Sequence, residues 1–451
     1  MTRDVAGAVR TSRRGALGIG AAGALGPAAV LAGVLGAACG GAAPGEGSGP
    51  VAVKGPGKVE LGHYFAQGPR WDLIQSAARR FQEEQPNLTV ETQPVTGNYW
   101  EALIARLAGG TAPDICIGSG ATFLGLLEKG AWREVDSYLR RDRAIDLKAY
   151  YSQPEIFDQD GKHYGLPFMI NTTVFFYNKT LFQRAGVAEP NERWTWDDLL
   201  DASRRLTRAE GDQWGINISP GFEGNLLTFI WSAGGDYINK ERTRTTMDDP
   251  GTLEGLQWVA DLYLKHRVSP PVGTKFTPDD FSSGQLALKS ALTGAVGSTY
   301  EPVIGSNFEW ELAWRPKHPK TGKRAGSMNG NPFMLLNPQQ TTGKNADAAW
   351  LLLRHMAGPY VQGLIGQSRI QMPTLIAAAQ DKATFGRTPP QNMQLNHELM
   401  ATSEPLRFHK TWLDWYNAIT EALAPVFRGE LSVRDGAIAA NTKGDAILRG
   451  A

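Results

Sequence analysis

Between residues 59 and 118 the hydrophobic period of the chain changes four times, and each change is punctuated. "VELGHYF" (59–65) alternates as a strand does, and "WDLIQSAARRFQEEQ" (71–85) has helical spacing and stops before Pro86. "LTVETQPV" (88–95) alternates again, "YWEALIARLAGG" (99–110) is helical and closes on Gly109 and Gly110, and "DICIG" (114–118) is a short apolar strand. Strand, helix, strand, helix, strand in short links leaves few architectures open. Parallel strands need crossovers, and the helices supplying them bury their apolar stripes on the sheet. The expected class is α/β.

The alternation resumes further on. "TVFFYN" (173–178) is strand-like, and "TWDDLLDASRRLT" (195–207) opens with Thr195 as N-cap and Asp198 three residues later, a variant capping box. "QWGINIS" (213–219) reads as a strand, and "DDPGTLEGLQWVADLYLKH" (248–266) as a helix capped by Asp249 with Pro250 at its first position. "ALTGAVGST" (291–299) reads as a strand ending in a turn. From about residue 342 the pattern is mostly helical, clearest in "ADAAWLLLRHMAG" (346–358). No internal repeat appears. Two α/β blocks imply two lobes, and ligands of such sheets bind beyond the carboxyl ends of the strands or between lobes.

The amino-terminal segment belongs to neither block. From Gly15 to Ala38 there are 24 uncharged residues, but seven are Gly, one is Pro27, and only seven are Leu, Ile or Val. Insertion energy and helix propensity are both poor for a permanent membrane span. "GIGAAG" (18–23) matches a dinucleotide-loop pattern without a preceding strand, so Gly-rich composition accounts for it. The basic start (Arg3, Arg10, Arg13, Arg14), the weakly apolar middle and the small residues before Cys39 have the layout of an export signal. "SRRGAL" resembles a twin-arginine signal, and "LGAAC" (35–39) a lipoprotein box that would lipidate Cys39. The Gly- and Pro-rich residues 39–57 then form a tether that as a flexible coil spans roughly 25 Å.

Removing residues 1–38 leaves 42 basic and 44 acidic side chains, a formal charge of −2, with no concentrated basic face for nucleic acid. With Cys39 committed to lipid, Cys116 has no disulfide partner, and its place in "PDICIG" suits a thiol acting as a small apolar side chain. The seven histidines show no metal-ligand spacing; His397 and Glu398 lack the second histidine of H-E-x-x-H. Neither metal nor cofactor is expected.

The order of local motifs carries a resemblance. "YWEALIARLAGGTAPDICI" (99–117), "GKHYGLPFMINTTVFFYNKTLFQRAGVAEPNERWTWDDLLDASRRLT" (161–207), "FIWSAGGDYI" (229–238), "FSSGQLALKSALTGAVGS" (281–298) and "NADAAWLLLRHMAG" (345–358) resemble, in order, the family 1 extracellular solute-binding proteins of ABC importers. The resemblance covers residues 58–440. It implies a two-lobed periplasmic-binding-protein fold of type II, each lobe a sheet flanked by helices, with the ligand cleft between them. Lobe 1 is expected at 58–168 and 313–362, and lobe 2 at 169–312 and 363–451. The implied function is capture of a small solute, a mono- or oligosaccharide by preference, hinge closure, and delivery to a permease by a monomer, held at the outer face of the cell membrane through Cys39 or in the periplasm.

A sugar presents apolar C–H faces and a rim of hydroxyls, so its site calls for aromatic planes beside amides and carboxylates. By the resemblance, the candidate ligand-binding residues are Tyr64 and Gln67 after the first strand, Ser119 and Gly120 after "PDIC", and Asn171 in the crossing segment. Phe222, Glu223, Trp231 and Asp236 lie around "FIWSAGGD", and Tyr300 and Glu301 follow "GAVGS". Asn329, Gly330 and Asn331 are read as a polar turn, and Trp412 and Trp415 complete the set. For Trp231, Trp412 and Trp415 core packing and ring stacking both stand open. Trp194, Trp196, Trp258 and Trp350 fall on helical faces that suit the core. A same-fold receptor for glycerophosphodiester would need a converging Lys or Arg, and Arg70 and Arg369 are the ones to watch. A secreted carbohydrate hydrolase would need two carboxylates about 5 to 9 Å apart, drawn from Glu223, Asp236 and Glu301.

Overall fold

The computed structural model describes residues 51–450 except 66, 96, 152–155, 209, 222–224, 338, 340, 342–344 and 386–388. The expected export signal, Cys39, most of the tether, and the candidates Phe222 and Glu223 lie outside the described residues.

The chain opens with β1 (Gly57–His63), α1 (Pro69–Glu84), β2 (Leu88–Pro94), α2 (Tyr99–Ala108), β3 (Ile115–Ile117), α3 (Gly120–Glu128) and α4 (Asp136–Arg141). A short hairpin, β4 (Asp158–Gln159) and β5 (Lys162–His163), leads into β6 (Gly165–Asn178), then α5 (Lys179–Ala185), α6 (Trp196–Leu206), β7 (Trp214–Asn217), α7 (Leu227–Ser232) and α8 (Pro250–Leu264). Next come β8 (Leu286–Leu292), α9 (Glu301–Ile304), β9 (Trp310–Ala313), β10 (Gly326–Leu335), α10 (Ala346–Ala357) and α11 (Pro359–Ser368). The chain finishes with β11 (Met372–Pro373), α12 (Ile376–Ala379), α13 (Lys382–Phe385), α14 (Leu395–Met400), β12 (Ser403–Pro405), α15 (Trp412–Phe427) and α16 (Val433–Arg449).

As the alternation requires, β1 pairs in parallel with β2 and β3. The main sheet runs β2-β1-β3-β10-β6-β8-β7, with β10 antiparallel to both β3 and β6. All 14 residues of β6 are buried, and the strand changes partner along its length. Up to Thr172 it pairs with β10; from Thr173 it pairs with β8, and from Phe175 also with β9. One strand thus threads two sheet regions.

Local chemistry explains the element ends. Asn98 Oδ1 accepts from the amides of Trp100 and Glu101 at the start of α2, Asn178 Oδ1 from Leu181 at the start of α5 (3.1 Å), and Thr195 and Asp198 form the expected capping box on α6. Gly110, at φ +66°, turns the chain out of α2 as an L side chain rarely can. Asp114 fixes the neighbouring strand: its Oδ2 accepts from Glu60 N at 2.9 Å.

Three sequence expectations shift. The strand placed at 291–299 is β8 at 286–292; beyond it Gly294 and Gly297 lie against backbone of residues 368–370, and the chain coils into a helical turn. β6 begins at Gly165, eight residues before the alternation showed, because Pro167 reads as a strand breaker. In the fold Pro167 faces Pro332 across a β-bulge, the kind of position at which a sheet accommodates proline. Finally, Asn329, Gly330 and Asn331 are not a turn: they lie in β10, and the bulge after Asn331 absorbs their turn-like character.

The cores are aromatic. Trp194, Trp196 and Trp350 are buried, and Trp258 stacks on Phe229 with ring centroids 4.5 Å apart. Cys116 is fully buried; desolvation pushes its thiol up to about 12, so it stays protonated.

Candidate functional site

A groove of about 600 Å³ lies beyond the carboxyl ends of β1, β2 and β3. Tyr64 from the loop after β1, Val95, Gly97 and Asn98 after β2, Tyr99 and Trp100 from the first turn of α2, Ser119 before α3 and Asn331 of β10 line it. The amide ends of α2 and α3 therefore face the groove with their partial positive charge.

Its rings are fixed. Tyr99 meets Tyr64 edge-on at 5.3 Å and Trp100 at 4.8 Å, and its hydroxyl donates to Ile117 O at 3.2 Å. Trp100 and Tyr64 remain half-buried, so both offer ring surface to the groove. Ser119 accepts from Ala121 N at 3.2 Å. Asn331 Nδ2 donates to Gly118 O at 3.1 Å, and its Oδ1 accepts from Gln371 Nε2 at 3.4 Å. Burial raises the Tyr64 phenol above its ordinary value, opposed by Arg70 and a hydrogen bond with Asn331. Among the described residues lining this groove none is charged.

Of the sequence candidates, Tyr64, Ser119 and Asn331 meet here, with Gln67 exposed nearby on the loop after β1. Asn98, Tyr99 and Trp100 were absent from that set. Their signal was a capping Asn followed by two aromatics, which as sequence only starts a helix.

The remaining candidates are placed elsewhere. Asn171 is buried opposite Asn329, and its Oδ1 accepts from Gly294 N at 3.0 Å and Thr293 Oγ1 at 3.2 Å. Gly330 pairs with Ile170 in the same ladder. Gly120 lies beneath Phe408 and Ile156. Trp412 and Trp415 pack around Tyr237 at 5.8 and 5.6 Å, inside the core. Tyr300 is buried among Phe176, Phe281 and Trp310. Trp231 Nε1 donates to Asp236 Oδ1 at 3.0 Å, and Arg407 ion-pairs the same carboxylate while lying 5.3 Å over Tyr237. Glu301 is 4.0 Å from Arg369 Nη1. Two of the three carboxylates available to a hydrolase are thus beside guanidinium groups, and the third, Glu223, lies outside the described residues. Among the described residues no group of three or more His, Cys, Asp or Glu is placed to hold a metal ion, and no helix is long and apolar enough to cross a membrane.

Residues 67–363 match the bacterial extracellular solute-binding protein family, which takes in most of the chain described above. The chain belongs to this family. As a solute-binding protein it has relatives of differing cargo. It is 26% identical over 219 residues to the arabinooligosaccharide-binding protein of Halalkalibacterium halodurans, covering 47% of this chain and 48% of that one. It is 23% identical over 348 residues to the sn-glycerol-3-phosphate-binding periplasmic protein of Agrobacterium fabrum, covering 71% and 74%. Its fold is similar to that of an ABC substrate-binding protein of Listeria monocytogenes solved with cycloalternan, with a TM-score of 0.75 at 21% identity over 88% of this chain and 99% of that one. The fold is the type II periplasmic-binding-protein arrangement, a mixed sheet flanked by helices. Membership implies an exported protein that binds a small molecule for a transporter.

Proposed function

We propose that this solute-binding protein captures a neutral saccharide in the groove formed by Tyr64, Asn98, Trp100, Ser119 and Asn331, and presents it to an ABC permease. The observation carrying this is the lining itself: ring faces for the C–H surface of a sugar, and amides and a hydroxyl for its rim, with no charged group among the described lining residues. The wider site would take in candidates expected from the second lobe, Phe222, Glu223 and Asp236.

The partner change of β6 at Thr172–Thr173 supports a two-lobe division with its first boundary expected at 168. Closure about this strand would let a ligand touching both lobes favour the closed form. The protein works without a covalent step. Export by residues 1–38, lipid anchoring at Cys39, and action as a monomer complete the proposal.

The test is a thermal-shift screen against neutral mono- and oligosaccharides and against glycerophosphodiesters. A saccharide at a hundred times its dissociation constant adds roughly 2.7 kcal/mol of stability. Stabilisation by phosphodiesters with none by any saccharide overturns the neutral assignment, and release of new reducing ends from a bound sugar overturns the purely receptor role.

A further inference from the structure

The segment after β12 belongs with the second lobe by its contacts. Arg407 is paired with Asp236 and lies over Tyr237, Trp415 Nε1 donates to Thr245 Oγ1 at 3.0 Å, and α15 and α16 pack on each other and on α8, while α15 also meets α3. Phe408 points the other way. Its ring is 4% exposed, 4.8 Å from Trp412, and it rests on the first residue of α3, Gly120, which belongs to the first lobe. A β-carbon built on Gly120 would overlap that ring and the end of the Ile156 side chain.

The contact continues along α3. A β-carbon on Gly125 would lie 3.3 Å from Lys410 O, and Lys410 Nζ is 3.4 Å from Glu128 Oε1. Glycine within a helix costs about 0.8–1 kcal/mol relative to alanine. At 125 that cost is matched by close approach of another segment, and at 120 the same approach leaves no room for a side chain. Gly120 also directly follows Ser119, which lines the groove, so whatever seats on Gly120 fixes the height of the groove's edge.

We propose that Phe408 seated on Gly120 is the stop that sets how closely the two lobes approach, making Phe408 and Gly120 positioning residues for the binding site. The inference rests on the two-lobe reading above and not on the identity of the solute. It also gives Gly120 a role unlike the one its motif suggested: it receives a side chain of its own protein.

The experiment is a distance measurement by electron spin resonance on the full chain carrying Cys39→Ser, with nitroxides on Arg79→Cys and Asp197→Cys, both exposed. Cys116 is buried and its thiol is pushed up to about 12, so it takes no label. No saccharide is added, so a failed saccharide screen leaves the outcome interpretable. Gly120→Ala is expected to lengthen the mean distance relative to the unaltered seat, and Phe408→Ala in the same chain to return most of the difference. Phe408→Trp, which enlarges the ring from the other side, is expected to lengthen it too, and serves if Gly120→Ala does not fold. The proposal is overturned if single substitutions leave the distribution unchanged, or if Gly120→Ala/Phe408→Ala keeps the distance of Gly120→Ala alone. A groove contact by Gly120 without the seat gives the second of these results.

Discussion

At the scale of single residues, Trp100 carries the sharpest prediction. It is half-buried on the groove, its neighbour Tyr99 holds it edge-on, and its backbone is capped by Asn98. Trp100→Ala should weaken binding of the saccharide found by the screen by about 1–2 kcal/mol, roughly tenfold, in isothermal titration. Tyr99 and α2 remain, so the melting temperature should move little. Two histidines give a pH signature. His63 is completely buried and His409 is 7% exposed, and desolvation pushes each down to about 4. Both are neutral in the fold, so the unfolded chain binds protons more readily as pH falls through 6.5 towards 4. Stability present at neutral pH is therefore lost over that window, by up to about 3 kcal/mol for each histidine. Chemical denaturation of His63→Gln between pH 7 and pH 4 should show a shallower fall than the unaltered chain; an identical slope would show that His63 does not titrate this way. Neither histidine nor Trp100 stood out in the sequence. Burial of His63 follows from its place at the end of β1, and exposure of Trp100 from a groove that no local pattern describes.

At the scale of elements, most of what was legible came from period and punctuation. The first three strands and two helices, the capping box of α6 and the Asp-Pro start of α8 can be read directly, because each rests on neighbours in sequence. What was illegible depends on distant partners. β10 carries Asn-Gly-Asn-Pro and reads as a turn until β3 and β6 enclose it, and β6 hides its first half behind Pro167 until Pro332 lies opposite. The site followed the same division. Tyr64 and Ser119 sit at strand ends that the pattern locates, whereas Asn331 lines the groove from a strand that reads as a turn. The capping box is a local device with a local test. Thr195 N donates to Asp198 Oδ2 at 2.7 Å, and Thr195 Oγ1 accepts from Asp198 N at 3.4 Å. Thr195→Ala should cost about 1 kcal/mol in denaturant unfolding, with little change in solute affinity.

At the scale of the whole molecule, the crossing strand is held by a buried cation. Arg315 is fully buried just after β9, and burial pushes its guanidinium down to about 9, so it remains charged at neutral pH. Its described partners are all neutral. Nη1 donates to Thr172 Oγ1, Thr173 O and Ser403 Oγ at 3.0 Å each, and Nη2 to Thr402 Oγ1 at 2.7 Å and to Leu399 O. Leu399 O lies at the carboxyl end of α14, where the helix dipole offers partial negative charge to a cation. The two threonines are the pair at which β6 changes sheet partner, so one side chain ties together the strand, the loop after β9 and the turn before β12. Removing it would strip the guanidinium hydrogen bonds from Thr172, Thr173, Ser403 and Thr402 and empty a buried space between them, a loss of about 3–5 kcal/mol. Lysine cannot repair this, since a single ammonium lacks the planar fork that spans two sets of acceptors. The loss also falls where the two sheet regions join, so it should reduce cooperativity as well as stability. In scanning calorimetry the unaltered chain should melt in one transition, while Arg315→Lys and Arg315→Met should melt earlier, with a van't Hoff enthalpy well below the calorimetric one. A variant that melts earlier yet stays two-state would mean that Arg315 stabilises the crossing without joining the two regions, and that their coupling runs through the backbone ladder of β6 alone.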